Sequence, residues 1–209
     1  MKRVTLIAAV VAGIFLATFG VCVSFGWLTP DWTRQLLSGM SPGTVALATF
    51  GLLLLDLFLP VPSSVVISAA GMLAGWPLAA AAGIAGMMAG NLIGYWGCRL
   101  AGRRAFERFV RPAEARKFGR WLDRYGPAAL VISRLVPVMA ETLSCMAGMA
   151  RMHFGRFLVG LLLGTIPFAV FFALLGRVVE DPGIVLIVAL AVPAAGWLVF
   201  ALLTRRAEN

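Results

Sequence analysis

Three ionisable residues, Asp56, Arg134 and Glu141, lie inside apolar stretches of this 209-residue sequence. A charged side chain at the centre of a bilayer costs roughly 2.5–3.5 kcal/mol on insertion scales, so such residues usually face a cavity and serve a function. The guanidinium of Arg134 offers a planar fork of donors suited to a phosphate or a carboxylate. The three residues therefore predict a polar site inside a membrane that could bind an anion.

Arg134 would need a counter-charge in such a site, and both Asp56 and Glu141 are candidates. Two carboxylates against one guanidinium leave one carboxylate in excess, which could carry a proton as a substrate moves. The structural alternative is that Asp56 and Arg134 form only a buried clamp and that Glu141 is a plain partner of Arg134. Four neutral side chains could add hydrogen bonds to the same site: Ser63, Ser64, Asn91 and Thr142.

Prolines interrupt both apolar stretches that hold these charges. Pro60 and Pro62 follow Asp56, and Pro137 follows Arg134. Proline lacks a backbone donor and breaks a helix, and broken helices at membrane depth are tolerated only where protein or water surrounds them. Each half of a broken stretch is also shorter than the ~20 residues that a span needs. We therefore interpret both stretches as re-entrant helical hairpins.

The composition is that of a membrane protein. The sequence is 61% hydrophobic and 13% charged, with a mean hydropathy of +0.93, whereas soluble domains carry about 25% charged residues. We expect an all-α polytopic membrane protein that forms a single domain over residues 1–209, with flanking spans near 4–26 and 183–204. The predicted core, 44–176, contains in order a first re-entrant hairpin at 44–75, a span at 78–98, a cytoplasmic basic amphipathic segment at 99–126, a second re-entrant hairpin at 127–150 and a span at 157–176.

The arrangement of hairpin plus span, repeated from the opposite face, predicts an inverted-topology repeat. In such folds the substrate site lies near the bilayer midplane, where the two broken elements meet. The predicted span 78–98 also carries Gly86, Gly90 and Gly94, one small residue every fourth position. This stripe predicts close packing of a second helix.

The net charge of +9 does not indicate a nucleic-acid partner. Nine of the 18 Lys and Arg residues lie in the segment 99–124, between apolar spans, which is the ordinary signal of membrane topology. With both termini in the cytoplasm and each hairpin returning to its own side, fifteen basic residues lie inside and two outside. We therefore expect a multi-pass protein of the cytoplasmic membrane whose partners are lipids with anionic head groups. Short paired spans in place of re-entrant hairpins remain compatible with this count.

No cofactor is expected from the sequence. Cys22, Cys98 and Cys145 fall in apolar segments without a CxxC pair, and we interpret them as buried small residues. His153 is the only histidine, so a histidine-based metal site cannot be assembled.

Two ordered sets of motifs follow the same outline. The first set is Asp56-x3-Pro60-Val61-Pro62, Gly71 and Gly90-Asn91-x2-Gly94-Tyr95-Trp96-Gly97. The second set is Gly126-Pro127, Ser133-Arg134-Leu135-Val136-Pro137, Ala147-Gly148-Met149-Ala150-Arg151-Met152 and Phe154-x2-Phe157. In this order, over about residues 46–176, they resemble the DedA family, also called the VTT or SNARE-associated domain.

The resemblance implies paired re-entrant hairpins and movement of lipids across bilayers, including polyprenyl-phosphate carriers in bacteria, with proton coupling. It assigns Asp56 to the family's first acidic position and Arg134 to its first essential arginine. The chain departs from many bacterial members at three places. Ser63 and Ser64 stand at the second acidic position, Ala140 at the second arginine, and Asn91 at the acid before the Gly-Tyr pair.

We therefore expect a transporter of the flippase or scramblase type for an anionic lipid or a lipid phosphate, and not an enzyme. The alternative is a non-transporting assembly or scaffold protein that uses the glycine stripe and the surface helices. An intramembrane enzyme acting on lipid phosphate is disfavoured, because the sequence offers no plausible nucleophile–base pair or metal cluster. A homo-oligomer is left open.

Overall fold

The computed structural model describes residues 39–57, 61–109, 112–134 and 139–179, together with 184, 187, 188 and 191. Side chains are described outside the segment 101–121 and position 123. The chain divides into two compact units, Met1–Ser41 and Pro42–Asn209. The first unit, with the predicted span 4–26, lies almost wholly outside the described residues, as does most of the predicted span 183–204. Of the basic side chains in the amphipathic segment, those of Arg99 and Arg124 are described.

All regular secondary structure in the described part of the chain is helical, as expected, and this part contains no strand. Its six helices are α1 Pro42–Leu55, α2 Ser63–Ala74, α3 Trp76–Phe109, α4 Pro112–Ser133, α5 Met139–Met149 and α6 Phe154–Val178.

Two of these helices are long and apolar enough to cross a membrane: Trp76–Leu100, within α3, and Phe154–Val178, which is α6. Both coincide with predicted spans. On α6, Val159, Leu163 and Ile166 are exposed at helical spacing, so this helix presents an apolar stripe to its surroundings. Such a stripe suits a lipid environment.

Proline and glycine set the ends of α2. Pro62 precedes α2, and its carbonyl accepts hydrogen bonds from the backbone N–H groups of Val65 and Val66 at 3.0 and 3.1 Å. Gly75 separates α2 from α3 with a φ of 82°, a conformation that glycine adopts without steric cost. The helices α1 and α2 therefore occupy the predicted first hairpin.

One expected boundary falls inside a helix. The sequence predicts that a surface segment ends at 126 and a second hairpin begins at 127, but α4 continues through Pro127 to Ser133. Gly160 of α6 explains the continuity, because a Cβ there would lie 2.7 Å from the Pro127 Cα. The close approach of α6 supports α4 at its proline, as neighbouring helices do for prolines within membrane helices.

Helix crossings in this protein depend on glycine. Gly86 of α3 lies against Phe50 and Leu53 of α1, and Gly90 lies against the same helix one turn later. Gly94 faces Cys145 of α5 and Leu57. The stripe therefore borders two different helices.

Two apolar clusters form the core. One joins α1, α2, α3 and the second half of α6 around Leu53, Ile67 and Phe172. The other joins α3, α4, α5 and the first half of α6 around Tyr95, Leu130 and Phe157. The candidate site described below lies between them.

The close crossing of α5 and α3 at Gly148 predicts a stability effect. We expect Gly148→Ala to lower the free energy of unfolding by about 1–3 kcal/mol, the usual cost of overpacking, because its Cβ would collide with the Tyr95 carbonyl. Reversible unfolding in mixed detergent micelles measures the change.

Gly97→Ala on α3 is the matched control, since nothing lies within 4 Å of a Cβ at that position. There the better helix propensity of alanine should leave stability unchanged or raise it by up to ~1 kcal/mol. Equal destabilisation by both substitutions would contradict the packing account.

Candidate functional site

Asp56 and Arg134 occupy corresponding places, each directly after the last residue of a helix. The Asp56 N–H donates to the Leu52 carbonyl at 3.1 Å, and the Arg134 N–H donates to the Val131 carbonyl at 3.3 Å. Between each of these residues and the short helix that follows it, α2 or α5, lie positions outside the described residues, 58–60 and 135–138. Helix ends leave backbone carbonyls without intrahelical partners, so both charges lie in a polar break of an otherwise apolar assembly.

The guanidinium of Arg134 is buried among three other helices. Its side chain is 6% exposed. Nη2 donates to the Thr165 hydroxyl of α6 at 2.8 Å, and Nη1 lies 3.9 Å from the Met87 sulfur of α3. Gly164 of α6 leaves room for the aliphatic part of the Arg134 side chain, because a Cβ at Gly164 would lie 3.1 Å from the Arg134 Cγ.

The ion pair of Arg134 is formed with Glu141, in the first turn of α5. The Arg134 Nη1 and Glu141 Oε1 atoms are 4.0 Å apart, and the Glu141 side chain is 19% exposed. At this distance the two charges attract, but the contact is longer than a good charge-assisted hydrogen bond of about 2.7–2.9 Å. A guanidinium carries five N–H donors, and among the described residues its one short contact to oxygen is with Thr165. Among the described residues, the guanidinium therefore has more donors than short oxygen partners.

Asp56 has a different partner from the one that the clamp interpretation requires. Its Oδ1 accepts a hydrogen bond from the Val61 N–H at 2.8 Å, which ties together the two sides of the first hairpin break. Its charge interacts electrostatically with Arg134 and Glu141, but within the described part of the chain Arg134 pairs with Glu141 at ion-pair distance. The short aspartate side chain is engaged by its own hairpin, whereas Glu141 lies on the helix that follows Arg134.

A neutral polar contact continues the site along α3 and α5. The Ser144 hydroxyl lies 2.6 Å from the Asn91 Oδ1 and 2.8 Å from the Ala140 carbonyl. The Asn91 side-chain amide donates to the Met87 carbonyl at 2.8 Å. The sequence analysis predicts Asn91 as a hydrogen-bonding side chain of the site, but it does not predict Ser144 or Thr165. Spacing could have found Ser144, three residues beyond Glu141 on the same helix face; Thr165 stands out only as a hydroxyl inside an apolar span.

Three further predicted residues lie on α2 and α5. Ser63 is half-buried at the start of α2, Ser64 is buried one residue later, and Thr142 lies on the exposed face of α5. Pro60 and Pro137 lie outside the described residues. Within the described part, no group of three or more His, Cys, Asp or Glu side chains could hold a metal ion.

A different hydroxyl, that of Ser68 on α2, is buried with no hydrogen-bond partner among the described residues. A buried polar atom without a partner is unusual in a folded protein. Ser68 lies at the crossing of α2 and α6, where its carbonyl meets Gly176.

Comparison with known proteins adds a family and named relatives. The family model described as the VTT domain matches residues 61–178. "Undecaprenyl phosphate transporter A" of Bacillus subtilis (strain 168) is 29% identical over 126 residues, which cover 56% of this chain and 64% of that protein. The Staphylococcus aureus (strain NCTC 8325 / PS 47) protein of the same name is 32% identical over 150 residues, covering 64% of this chain and 73% of the relative.

A third relative, the "Alkaline phosphatase-like protein" of Lactococcus lactis subsp. cremoris (strain MG1363), is 26% identical over 147 residues, 63% of this chain and 69% of that protein. The match thus spans slightly less than two thirds of the Bacillus protein and somewhat more of the other two. No solved structure matches this chain.

The Thr165 hydroxyl should contribute to holding Arg134. We expect Thr165→Val to lower the free energy of unfolding by about 1–3 kcal/mol, because it leaves a buried charged donor without its oxygen partner. Thr165→Ser retains the hydroxyl and should recover most of the loss. Unfolding in mixed micelles measures both variants, and a valine variant as stable as the serine variant would contradict the assigned hydrogen bond.

Proposed function

This chain belongs to the VTT domain family, also called the DedA family, and we propose that it is a membrane transporter of the flippase or scramblase type that moves a lipid phosphate across the cytoplasmic membrane. The two relatives named undecaprenyl phosphate transporter A support a lipid phosphate as the substrate class. They also support a transporter over an enzyme.

The observation that carries the proposal is the environment of Arg134. Its guanidinium is nearly sealed from solvent, its counter-charge lies 4.0 Å away, and its one short hydrogen bond among the described residues is to a neutral hydroxyl. A charge that only clamps two elements together would be expected to have short, complete partners, since an incompletely satisfied buried charge is costly. A phosphate oxygen entering the site would supply acceptors for the donors that the described residues do not engage.

Internal correspondence between the two halves supports an inverted repeat around this site. The helix α1 packs on α3 as α4 packs on α6, and α2 packs on α6 as α5 packs on α3. Gly71 lies against the Ala173 carbonyl and Gly148 against the Tyr95 carbonyl. Tyr95 lies thirty-nine residues beyond Asp56, and Ala173 lies thirty-nine residues beyond Arg134.

The same correspondence leads to the arginine. Met87 lies thirty-one residues beyond Asp56, and Thr165 lies thirty-one residues beyond Arg134; both contact the Arg134 guanidinium. Arg134 would therefore lie at the junction of the two repeats, which is where inverted-repeat transporters bind their substrates. In this arrangement both hairpins would be re-entrant and both termini would lie in the cytoplasm. The partners would be lipids with anionic head groups, and the arrangement is compatible with a homo-oligomer.

Proton coupling is the finer part of the proposal. Two carboxylates, Asp56 and Glu141, interact with one guanidinium, so the site contains one acid more than it needs for neutrality. An arriving phosphate would add negative charge beside Arg134, where two carboxylates already lie. Protonation of one carboxylate would remove one negative charge and so reduce the repulsion. Asp56 is the carboxylate without an ion pair within 4.0 Å among the described residues, and we assign it this role.

Transport by the Arg134 variant tests the proposal directly. The chain is reconstituted into vesicles containing undecaprenyl phosphate, and a membrane-impermeant phosphatase reports how fast lipid from the inner leaflet becomes accessible. We expect Arg134→Gln to slow this exposure at least tenfold, because loss of a charge-assisted hydrogen bond is worth about 1.5–3 kcal/mol.

Arg177→Gln, on an exposed residue at the last turn of α6, is the matched control and should transport normally. Glu141→Gln keeps the size of the side chain and serves as the second variant if Arg134→Gln is unstable. This variant should also change the rate at which lipid from the inner leaflet becomes accessible. Normal transport by folded Arg134→Gln and Glu141→Gln proteins would reject the proposal. Released inorganic phosphate without the external phosphatase would instead favour an enzyme.

The role of Asp56 can be separated from its structural bond. An asparagine at 56 can still accept the hydrogen bond from the Val61 N–H but cannot ionise. We expect Asp56→Asn to fold normally and to abolish the acceleration of transport by an imposed proton gradient. If acceleration by the gradient persists in this variant, Asp56 closes the hairpin and carries no proton.

A further inference from the structure

A second arginine, Arg99, is held in a defined position far from Arg134, at the end of the apolar part of α3. Its Nη1 donates to the Tyr95 hydroxyl at 2.6 Å and to the Met152 carbonyl at 3.0 Å. The Tyr95 hydroxyl in turn donates to the same Met152 carbonyl at 2.6 Å. Among the described residues the remaining donors of this guanidinium, on Nε and Nη2, make no hydrogen bond.

Aromatic rings orient the same guanidinium. Its Cζ lies 5.5 Å from the centre of the Tyr95 ring and 5.7 Å from that of the Trp96 ring, within the range of cation–π attraction. The Trp96 ring lies 5.6 Å from that of Phe154. Trp96 is 45% exposed and Phe154 is 37% exposed, although both are large apolar side chains.

A third basic residue, Arg151, occupies a position that normally favours glycine. It follows the end of α5 with a φ of 56°, its N–H donates to the Gly148 carbonyl, and the Met152 N–H donates to the Ala147 carbonyl. This is the Schellman pattern of helix termination, in which the left-handed residue is usually glycine. A left-handed conformation is unfavourable for a non-glycine residue because its Cβ approaches the following carbonyl oxygen, so an exposed arginine here indicates a use for its charge.

The location of these residues suits a lipid head group. The apolar stretch of α3 ends at Leu100 and that of α6 begins at Phe154, and the contact between the Trp96 and Phe154 rings brings these two ends together. Arg99 and Arg151 lie at the same ends. Tryptophan at the end of a span is typical of the membrane–water interface. The helix α5 separates these ends from the Arg134 site: Glu141 and Met149 are about 12 Å apart along its axis.

We propose that Arg99, Arg151, Trp96 and Phe154 form an interfacial site that binds the phosphate of an anionic lipid head group, with the exposed rings against the upper acyl chain. The two guanidinium groups supply charge and donors for the phosphate. The exposed aromatic rings favour a lipid over free phosphate, because a free ion would leave them without a partner. This site is separate from the transport site and does not depend on the transport proposal.

Lipid binding by the purified full-length chain tests the site. The protein in mild detergent is titrated with phosphatidic acid or phosphatidylcholine, and retained lipid is measured by native mass spectrometry. We expect one phosphatidic acid to bind at least tenfold more tightly than phosphatidylcholine. Arg151→Gly and Arg99→Gln should each weaken phosphatidic acid binding about tenfold, the loss expected for one charge-assisted hydrogen bond.

Arg151→Gly is the decisive variant because a purely structural role predicts the opposite result. Glycine relieves the left-handed backbone, so its thermal stability should equal or exceed that of the original chain while lipid selectivity falls. Arg177→Gln, at the opposite end of α6, should leave binding unchanged. Unaltered phosphatidic acid binding by Arg151→Gly would overturn the proposal, even if Arg99→Gln proves unstable. Displacement of the lipid by inorganic phosphate at micromolar concentration would overturn the lipid assignment.

Discussion

The side chain of Arg134 is 6% exposed inside an apolar helical assembly, and its charge has to be satisfied by groups that neighbouring helices bring to it. Water cannot do so at membrane depth, where an unsatisfied polar group costs several kcal/mol. Thr165 on α6, Glu141 on α5 and Met87 on α3 surround the guanidinium because glycines let these helices approach closely. The crossings therefore position the site, and the site in turn explains why polar residues persist in these apolar helices.

The two halves of the proposed repeat carry different residues at corresponding positions, and these differences determine the charge and the hydrogen bonds of the site. An aspartate follows α1 where an arginine follows α4. On α5 the buried Ser144 finds Asn91 on α3, whereas Ser68, at the same distance from the start of α2, is without a partner among the described residues. The residue of α6 that corresponds to Asn91, thirty-five residues beyond Arg134, is Ala169. In the proposed inverted repeat, one crossing is thus fastened by a buried polar contact and the other is not.

Much of this arrangement could be predicted from the sequence. Hydropathy and proline positions predict the helices on both sides of the first break and the two candidate spans, and the sequence offers both Asp56 and Glu141 as partners for Arg134. The rest depends on tertiary contacts that no local pattern encodes. Asp56 is engaged by Val61 across the hairpin break, Thr165 approaches Arg134 only because α6 crosses α4, and α4 continues through Pro127 because Gly160 packs against it. From the sequence alone, Pro127 indicates the end of a helix, whereas in the fold the neighbouring helix α6 allows α4 to continue through it.

The central claim is that the Arg134 guanidinium binds the phosphate of a lipid substrate. Solid-state NMR measures this contact most directly, through the dipolar coupling between the phosphorus of bound undecaprenyl phosphate and 15N-labelled arginine side chains in lipid. We expect a coupling typical of hydrogen-bonded guanidinium and phosphate groups that disappears in the Arg134→Gln protein. A coupling that persists unchanged in that protein would contradict the account, because the phosphate would then be bound by other arginines.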